Sequence, residues 1–159
     1  MNFKWPRKTV MVYRLKINWK VGDYKVIHND STNHAEIRFI DEVRKSITKQ
    51  DTKIDIDMFI SYSPCDKCAK ALEGWIKELR EERKTFSIAI KFSNFYLEER
   101  AGLNKLHKFD EITLGVFNRN VWGEFLQLIK KKSDGEFQEL INQRAARETI
   151  DASKLKGII

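Results

Sequence analysis

Cysteine and proline are scarce in this chain, two of each in 159 residues, and the seven glycines are scattered singly. With prolines only at positions 6 and 64 and no Gly, Ser or Pro-rich stretch, nothing reads as an interdomain linker. There is no internal repeat and no low-complexity tract, so one domain over 1–159 is expected. Two cysteines cannot make a disulfide scaffold. Cys65 and Cys68 stand three apart, too close for an ordinary structural disulfide but suited to a shared metal, which argues against an oxidising compartment. No apolar run approaches the ~18 residues needed to span a bilayer, and the alternating charged and apolar N-terminal residues lack the apolar core of a signal peptide. The sequence therefore predicts a protein with no membrane partner, cytoplasmic and/or nuclear.

What the chain does have is charge and apolar periodicity. Thirty Lys and Arg against 23 Asp and Glu leave a net charge of +7, which favours a polyanionic partner without identifying one. An apolar content of 42% is enough for a core. Residues 9–18 and 23–28 read as two strands joined by a turn at Val21-Gly22-Asp23. From 34 to 49, Ile37, Ile40, Val43 and Ile47 recur at helical spacing. Ile54, Ile56, Met58 and Ile60 then alternate with polar or outward positions, as in a strand with one apolar face.

Ser63, Pro64 and Asp66 are read as the start of a second helix: a hydroxyl cap, a proline in the first turn and an acid at the positive end of the dipole. Its apolar stripe is Ala69, Leu72, Ile76 and Leu79. Phe86 to Phe92 and Ile112 to Val116 supply a fourth and a fifth strand, and helical patterns cover 97–108, 121–132 and 136–148. The fourth and fifth strands are separated by a helical crossover rather than a hairpin, so they should run parallel. The result is an α/β fold with a mixed sheet of about five strands covered by helices.

The chemistry concentrates in two places. His34-Ala35-Glu36 opens one helix and Pro64-Cys65-Asp66-Lys67-Cys68 opens another, with 27 residues between Glu36 and Pro64 for the rest of the first helix and a strand. Cys65 and Cys68 present their sulfurs on one face of a helix start, where the positive end favours thiolates. With His34 they make three ligands for a tetrahedral zinc, leaving a fourth position for a water whose pKa the metal lowers. Glu36, about 200° around an ideal helix from His34, is placed to shuttle protons rather than to ligate. Taken singly these residues have plainer readings. Cys-x-x-Cys could be a redox pair or half of a structural zinc site, though no second cysteine pair exists to complete one; Glu36 could close a capping box begun by Asn33. Taken together, H-x-E with P-C-x-x-C is the signature of zinc deaminases.

Beyond that signature the sequence resembles the AID/APOBEC family of polynucleotide cytosine deaminases from about Arg7 to Ile129. The stretches that carry the likeness are Arg7-Lys8-Thr9-Val10-Met11-Val12-Tyr13, His34-Ala35-Glu36-Ile37-Arg38-Phe39-Ile40, Ser61-Tyr62-Ser63-Pro64-Cys65 and Gly102-Leu103-Asn104-Lys105-Leu106-His107. The resemblance implies a cytidine deaminase-like three-layer fold, with helices on both faces of a mixed five-stranded sheet. It also implies one zinc on His34, Cys65 and Cys68, with Glu36 catalytic. By the same likeness Thr9, Asn29, Ala35, Tyr62, Ser63 and Tyr96 bind the target nucleotide, and Arg7 and Lys8 meet the nucleic-acid backbone. The chain departs from the family pattern at three points: Tyr62 stands where a Trp is usual, Ser93-Asn94 replaces an Ala-Arg pair, and no Cys precedes Trp122. The context preference for the base before the cytosine therefore does not transfer.

The expected function is hydrolytic deamination of cytosine to uracil in single-stranded DNA by a metal-bound hydroxide, with Glu36 as proton shuttle. RNA is the nearest alternative substrate. A non-catalytic zinc-containing nucleic-acid-binding module and a free-nucleotide salvage enzyme are the readings from other classes, opposed by the intact Glu36 and by the crossover. A monomer is expected rather than an obligate oligomer.

Overall fold

A computed structural model describes residues 8–96, 100–130 and 135–159. The first strand, β1 (Val10–Ile17), takes a central place because both its neighbours pair with it antiparallel, the edge hairpin on one side and β4 (Lys53–Ile60) on the other. Beyond β4 the order continues with β5 (Thr85–Phe92) and β6 (Ile112–Val116), each parallel to the one before. The parallel pairing of the last two strands agrees with the crossover read from the sequence.

The hairpin turns at a different place from the one expected. It folds at Asn18 and Trp19, which both have positive φ (47° and 73°), so that Ile17 faces Lys20 and Lys16 faces Val21. Positive φ at both central residues is what a two-residue hairpin turn matching strand twist requires. The Asn18 side chain fixes it: its Oδ1 accepts the backbone N–H groups of Thr52 and Lys53, and its Nδ2 donates to Asp51. Gly22, expected at the turn, instead opens a bulge. Residues 22–24 stand opposite only Arg14 and Leu15 before pairing resumes at Lys25 with Tyr13, and the Gly22 N–H donates to Leu15 O. The edge is thereby split into β2 (Lys20–Val21) and β3 (Lys25–His28), giving six strands where five were expected.

Alternation along the strands sends side chains to two cores. Met11, Tyr13, Ile54, Ile56, Met58 and Ile60 pack under α1 (Ala35–Ser46), α2 (Asp66–Glu81) and α3 (Ala101–His107). Val10, Val12, Phe59 and Phe117 pack on the other face against Val121, Trp122, Phe125 and Leu126 of α4 (Arg119–Lys130) and Ile141 of α5 (Gly135–Ala145). A further helix, α6 (Glu148–Lys156), was not foreseen, because its apolar residues form no stripe: Ile150 is exposed while Leu155 joins the first core with Ile158. No helix among the described residues is long and apolar enough to cross a membrane.

Buried Lys84 closes the end of the fold remote from the C-terminal ends of the parallel strands. Its Nζ donates to the carbonyls of Thr48 and Asp51 at 2.8 and 2.7 Å. At the opposite end, the starts of α1 and α2 meet beside Thr9, just before β1, and the loops that follow β4 and β5. Crevices outside the carboxyl ends of parallel strands are where α/β folds bind ligands.

Candidate active site

Neither helix start at this end is capped by its own flanking side chain. The N-cap of α1 is His34 and that of α2 is Cys65, and neither makes a side-chain cap bond. The capping box between Asn33 and Glu36 does not form, and Ser63, expected as the hydroxyl cap of α2, is engaged elsewhere. Asn29 does the capping of α1 from outside the helix: its Oδ1 accepts the Ala35 N–H at 2.7 Å. His34 and Cys65 are thus free to turn their side chains toward each other.

His34 Nδ1 lies 3.2 Å from Cys68 Sγ and 3.5 Å from Cys65 Sγ, and all three donor atoms fall within 4.8 Å of one another. A tetrahedral zinc with Zn–N of about 2.0–2.1 Å and Zn–S of about 2.3 Å sets N and S about 3.5 Å apart, so the donor set fits this ion. One imidazole and two thiols, both cysteines buried, are borderline-soft donors of the kind zinc selects. Burial pushes the Cys68 thiol up, and the nearby charges of Glu36 and Cys65 push it further. A divalent cation there reverses that preference and releases the protons.

Glu36 is 3% exposed, and its Oε2 has no hydrogen-bond partner among the described residues. An orphaned buried carboxylate oxygen is costly. Desolvation raises the Glu36 pKa to about 7, against the smaller opposing effects of a backbone N–H and the Cys68 thiol. A carboxyl poised near neutrality beside a metal-ligand set is placed to take and return protons.

These groups open into a cavity of about 330 Å³ lined by Thr9, Asn29, His34, Glu36, Tyr62, Ser63, Cys65 and Tyr96. Its walls are tied backbone to side chain across three segments. Ser61 exchanges two bonds with Val10, its N–H donating to Val10 O and its Oγ accepting the Val10 N–H. Ser63 accepts the Tyr96 N–H on its Oγ at 2.8 Å, while its own N–H donates to Asn94 O. Ser93 Oγ donates to Ser61 O at 2.7 Å, and Asn94 Nδ2 donates to Ser93 Oγ at 3.0 Å. Ser61, Ser63 and Ser93 are buried, so these bonds are sheltered from water. On the outer side, Arg144 donates to Asn94 Oδ1, and Lys154 lies 4.3 Å from the centre of the Phe95 ring.

A sequence model of the APOBEC3H family matches residues 3–133. The chain belongs to the APOBEC3H family. Similar curated relatives are each named DNA dC->dU-editing enzyme APOBEC-3H. The cat (Felis catus) protein is 30% identical over 106 residues, 64% of this chain and 53% of that protein. The rhesus macaque (Macaca mulatta) and orangutan (Pongo pygmaeus) proteins are each 30% identical, over 77 and 74 residues, covering 48% and 46% of this chain and 37% and 35% of theirs. At most, the chain spans about half the length of these curated relatives.

In this member of the APOBEC3H family, six of the residues singled out from the sequence, Thr9, Asn29, Tyr62, Ser63, Tyr96 and Glu36, line one cavity with His34 and Cys65. Cys68 and Ala35 are fully buried behind it, Cys68 among the donor atoms and Ala35 through its N–H to Asn29. Lys8 is exposed immediately before β1, and Arg7 lies outside the described residues. Phe95 packs edge-on against Phe92, partly in the core. Ser61, Ser93, Asn94 and Arg144 were not foreseen as parts of the site; the signal for the serines was small polar residues directly following apolar strands.

Gly102 also went unnoticed as a site element. A Cβ there would meet Pro64 O at 3.1 Å, Ala69 Cβ at 3.2 Å and the Cys65 carbonyl carbon at 3.3 Å. Gly102→Ala is expected to push α3 off the metal loop, costing about 1–3 kcal/mol by overpacking and weakening metal retention. Thermal unfolding and metal content of the purified variant check this, and wild-type values for both would contradict it.

Proposed function

We propose that this chain hydrolyses the exocyclic C–N bond of cytosine in single-stranded DNA, yielding uracil and ammonia. The observation that carries the reading is the buried, unpartnered Glu36 carboxylate oxygen facing the same cavity as a His-Cys-Cys donor set. Zinc on His34, Cys65 and Cys68 would supply a water-derived nucleophile at neutral pH. Glu36 would take one proton from that water and give it to N3 as the oxygen bonds to C4, then take the second proton from that oxygen and give it to the amine, the C–N bond breaking as the C4 carbonyl forms.

The cavity lies at the small end of ligand pockets, about 300–1,000 Å³, a size for one nucleoside and not for a run of polymer. A base must therefore be turned out of its strand to enter. Tyr62 and Tyr96 offer aromatic surface for the base and Thr9 and Asn29 offer polar groups for its sugar and edge. With Asn29 Oδ1 committed to Ala35, its Nδ2 is the donor left for substrate. Lys8, beside the cavity, and Arg7 steer the phosphates.

The test is sequencing of a pooled single-stranded DNA library after incubation with purified protein, with Glu36→Ala in parallel. Cytosine-to-uracil conversion by the wild type that vanishes in the variant is the expected result. Conversion of RNA of the same sequence but not of DNA would move the substrate to RNA. No conversion of either polymer would overturn the reading.

A further inference from the structure

The hairpin tip at the far end of β1 combines three features that its structural role does not require. Trp19 is 69% exposed, the largest apolar side chain so presented among the described residues. It occupies φ 73°, a backbone region where glycine is at ease and a bulky side chain is not. It also sits among cations: Lys53 Nζ is 3.7 Å and Lys16 Nζ 5.5 Å from the ring centre, with Lys20, Lys25 and Lys49 exposed on neighbouring segments. Against these five lysines stand three acids, Asp23, Asp51 and Asp55, whose bonds from neutral donors leave their charge in place. The Asn18 bonds to Thr52, Lys53 and Asp51 hold the tip to β4, so the ring is offered from a fixed frame. A hairpin chosen for stability alone would place glycine after Asn18.

We propose that Trp19 and its lysines are a second contact site for single-stranded nucleic acid. The ring is the stacking surface for one base, and Lys16, Lys20 and Lys53 meet the flanking phosphates. An exposed aromatic set among ammonium groups is the chemistry that binds single strands without reading sequence. The excess of five lysines over three aspartates around the tip favours a polyanion over an apolar protein partner. The eight residues of β1 separate this site from Thr9 by about 26 Å at ~3.3 Å per residue, too far to touch the nucleotide in the cavity. Its contribution is therefore to longer strands. The inference builds on the nucleic-acid substrate assigned above and identifies where the strand outside the cavity is held.

The experiment measures affinity by fluorescence anisotropy for two labelled DNA strands, one of about 5 nucleotides with its cytosine central, too short to reach the tip from the cavity, and one of about 40, each with one cytosine, using the full chain. Trp19→Gly is expected to weaken binding of the long strand about ten-fold, the scale of one lost base stack, and to leave the short strand unchanged. Its melting temperature should equal or exceed that of the wild type, because Asn-Gly suits the turn. Trp19→Phe should restore most of the affinity, and Lys53→Glu should weaken the long strand and flatten its salt dependence. Unchanged long-strand affinity in Trp19→Gly overturns the proposal, as does an equal loss for both lengths. So does loss of binding to poly-glutamate with DNA affinity intact, which would make the tip a docking site for acidic protein. Conversion of the short strand by the wild type is scored separately: its absence sinks the deaminase reading, while the length dependence still decides the role of Trp19.

Discussion

Glu36→Gln is expected to remove cytosine conversion, by at least about 10²–10⁴-fold, and at the same time to make the chelator-treated protein more stable at neutral and alkaline pH. The stability half follows from burial. In the folded protein the Glu36 carboxyl holds its proton up to about pH 7, while in the unfolded chain it ionises near the ordinary 4.5. Below 4.5 both states are protonated and the residue costs nothing. Between 4.5 and 7 the unfolded state binds fewer protons than the folded one, so stability falls as pH rises, and the full cost persists above 7. At about 1.36 kcal/mol per pKa unit that cost is about 3 kcal/mol. A neutral glutamine has no such slope. Urea unfolding of both proteins in chelator, from pH 4.5 to 8, should give curves that converge at the acid end and separate toward the alkaline end. Parallel curves would show that the carboxylate is not strained by its surroundings.

Replacing a metal ligand should have the second-largest effect. In His34→Ala, Cys65→Ser or Cys68→Ser the remaining two donors cannot hold zinc at the affinity of three, so purified protein should carry well under one ion per chain. A ligand present at ~1,000 times its dissociation constant stabilises the folded state by about 4 kcal/mol. In a domain of this size that corresponds to a drop in Tm of roughly 8–16 °C. Chelator should lower the Tm of the wild type toward that of the variants and leave the variants unmoved. A variant that keeps one zinc per chain and the wild-type Tm would remove its residue from the ligand set. The large size of the two cores means that folding itself should survive, unlike in small domains built around a metal.

That His34, Glu36, Cys65 and Cys68 come together was legible from sequence because its signals are local. His34 and Glu36, and Cys65 and Cys68, are fixed by their spacing within helix starts, and alternation in 54–60, 86–92 and 112–116 placed the strands that deliver them. What could not be read was decided by contacts distant in sequence. The hairpin turns at Asn18-Trp19 because Asn18 bonds to Thr52 and Lys53 across 34 and 35 residues, a preference that no local rule for Val21-Gly22-Asp23 contains. Ser63 was read as a helix cap because it precedes Pro64, yet its hydroxyl is taken by Tyr96, 33 residues away. The helix Glu148–Lys156 has no apolar face of its own and is held through Leu155 and, just beyond its end, Ile158.

The ties among Ser61, Ser63, Ser93 and Asn94 separate the frame of the cavity from the surfaces that read its contents. The bonds described above that join these loops use backbone groups and these small polar side chains, and Tyr96 enters the lattice through its main-chain N–H while it lines the cavity. Tyr96→Phe is therefore expected to leave this frame intact, because the bond to Ser63 uses the main chain of residue 96. Such a division lets position 96 change its side chain at little risk to folding, whereas a change at Ser61, Ser63 or Ser93 removes a buried bond between loops. Directed evolution of this scaffold should accordingly diversify position 96 and hold the three serines constant.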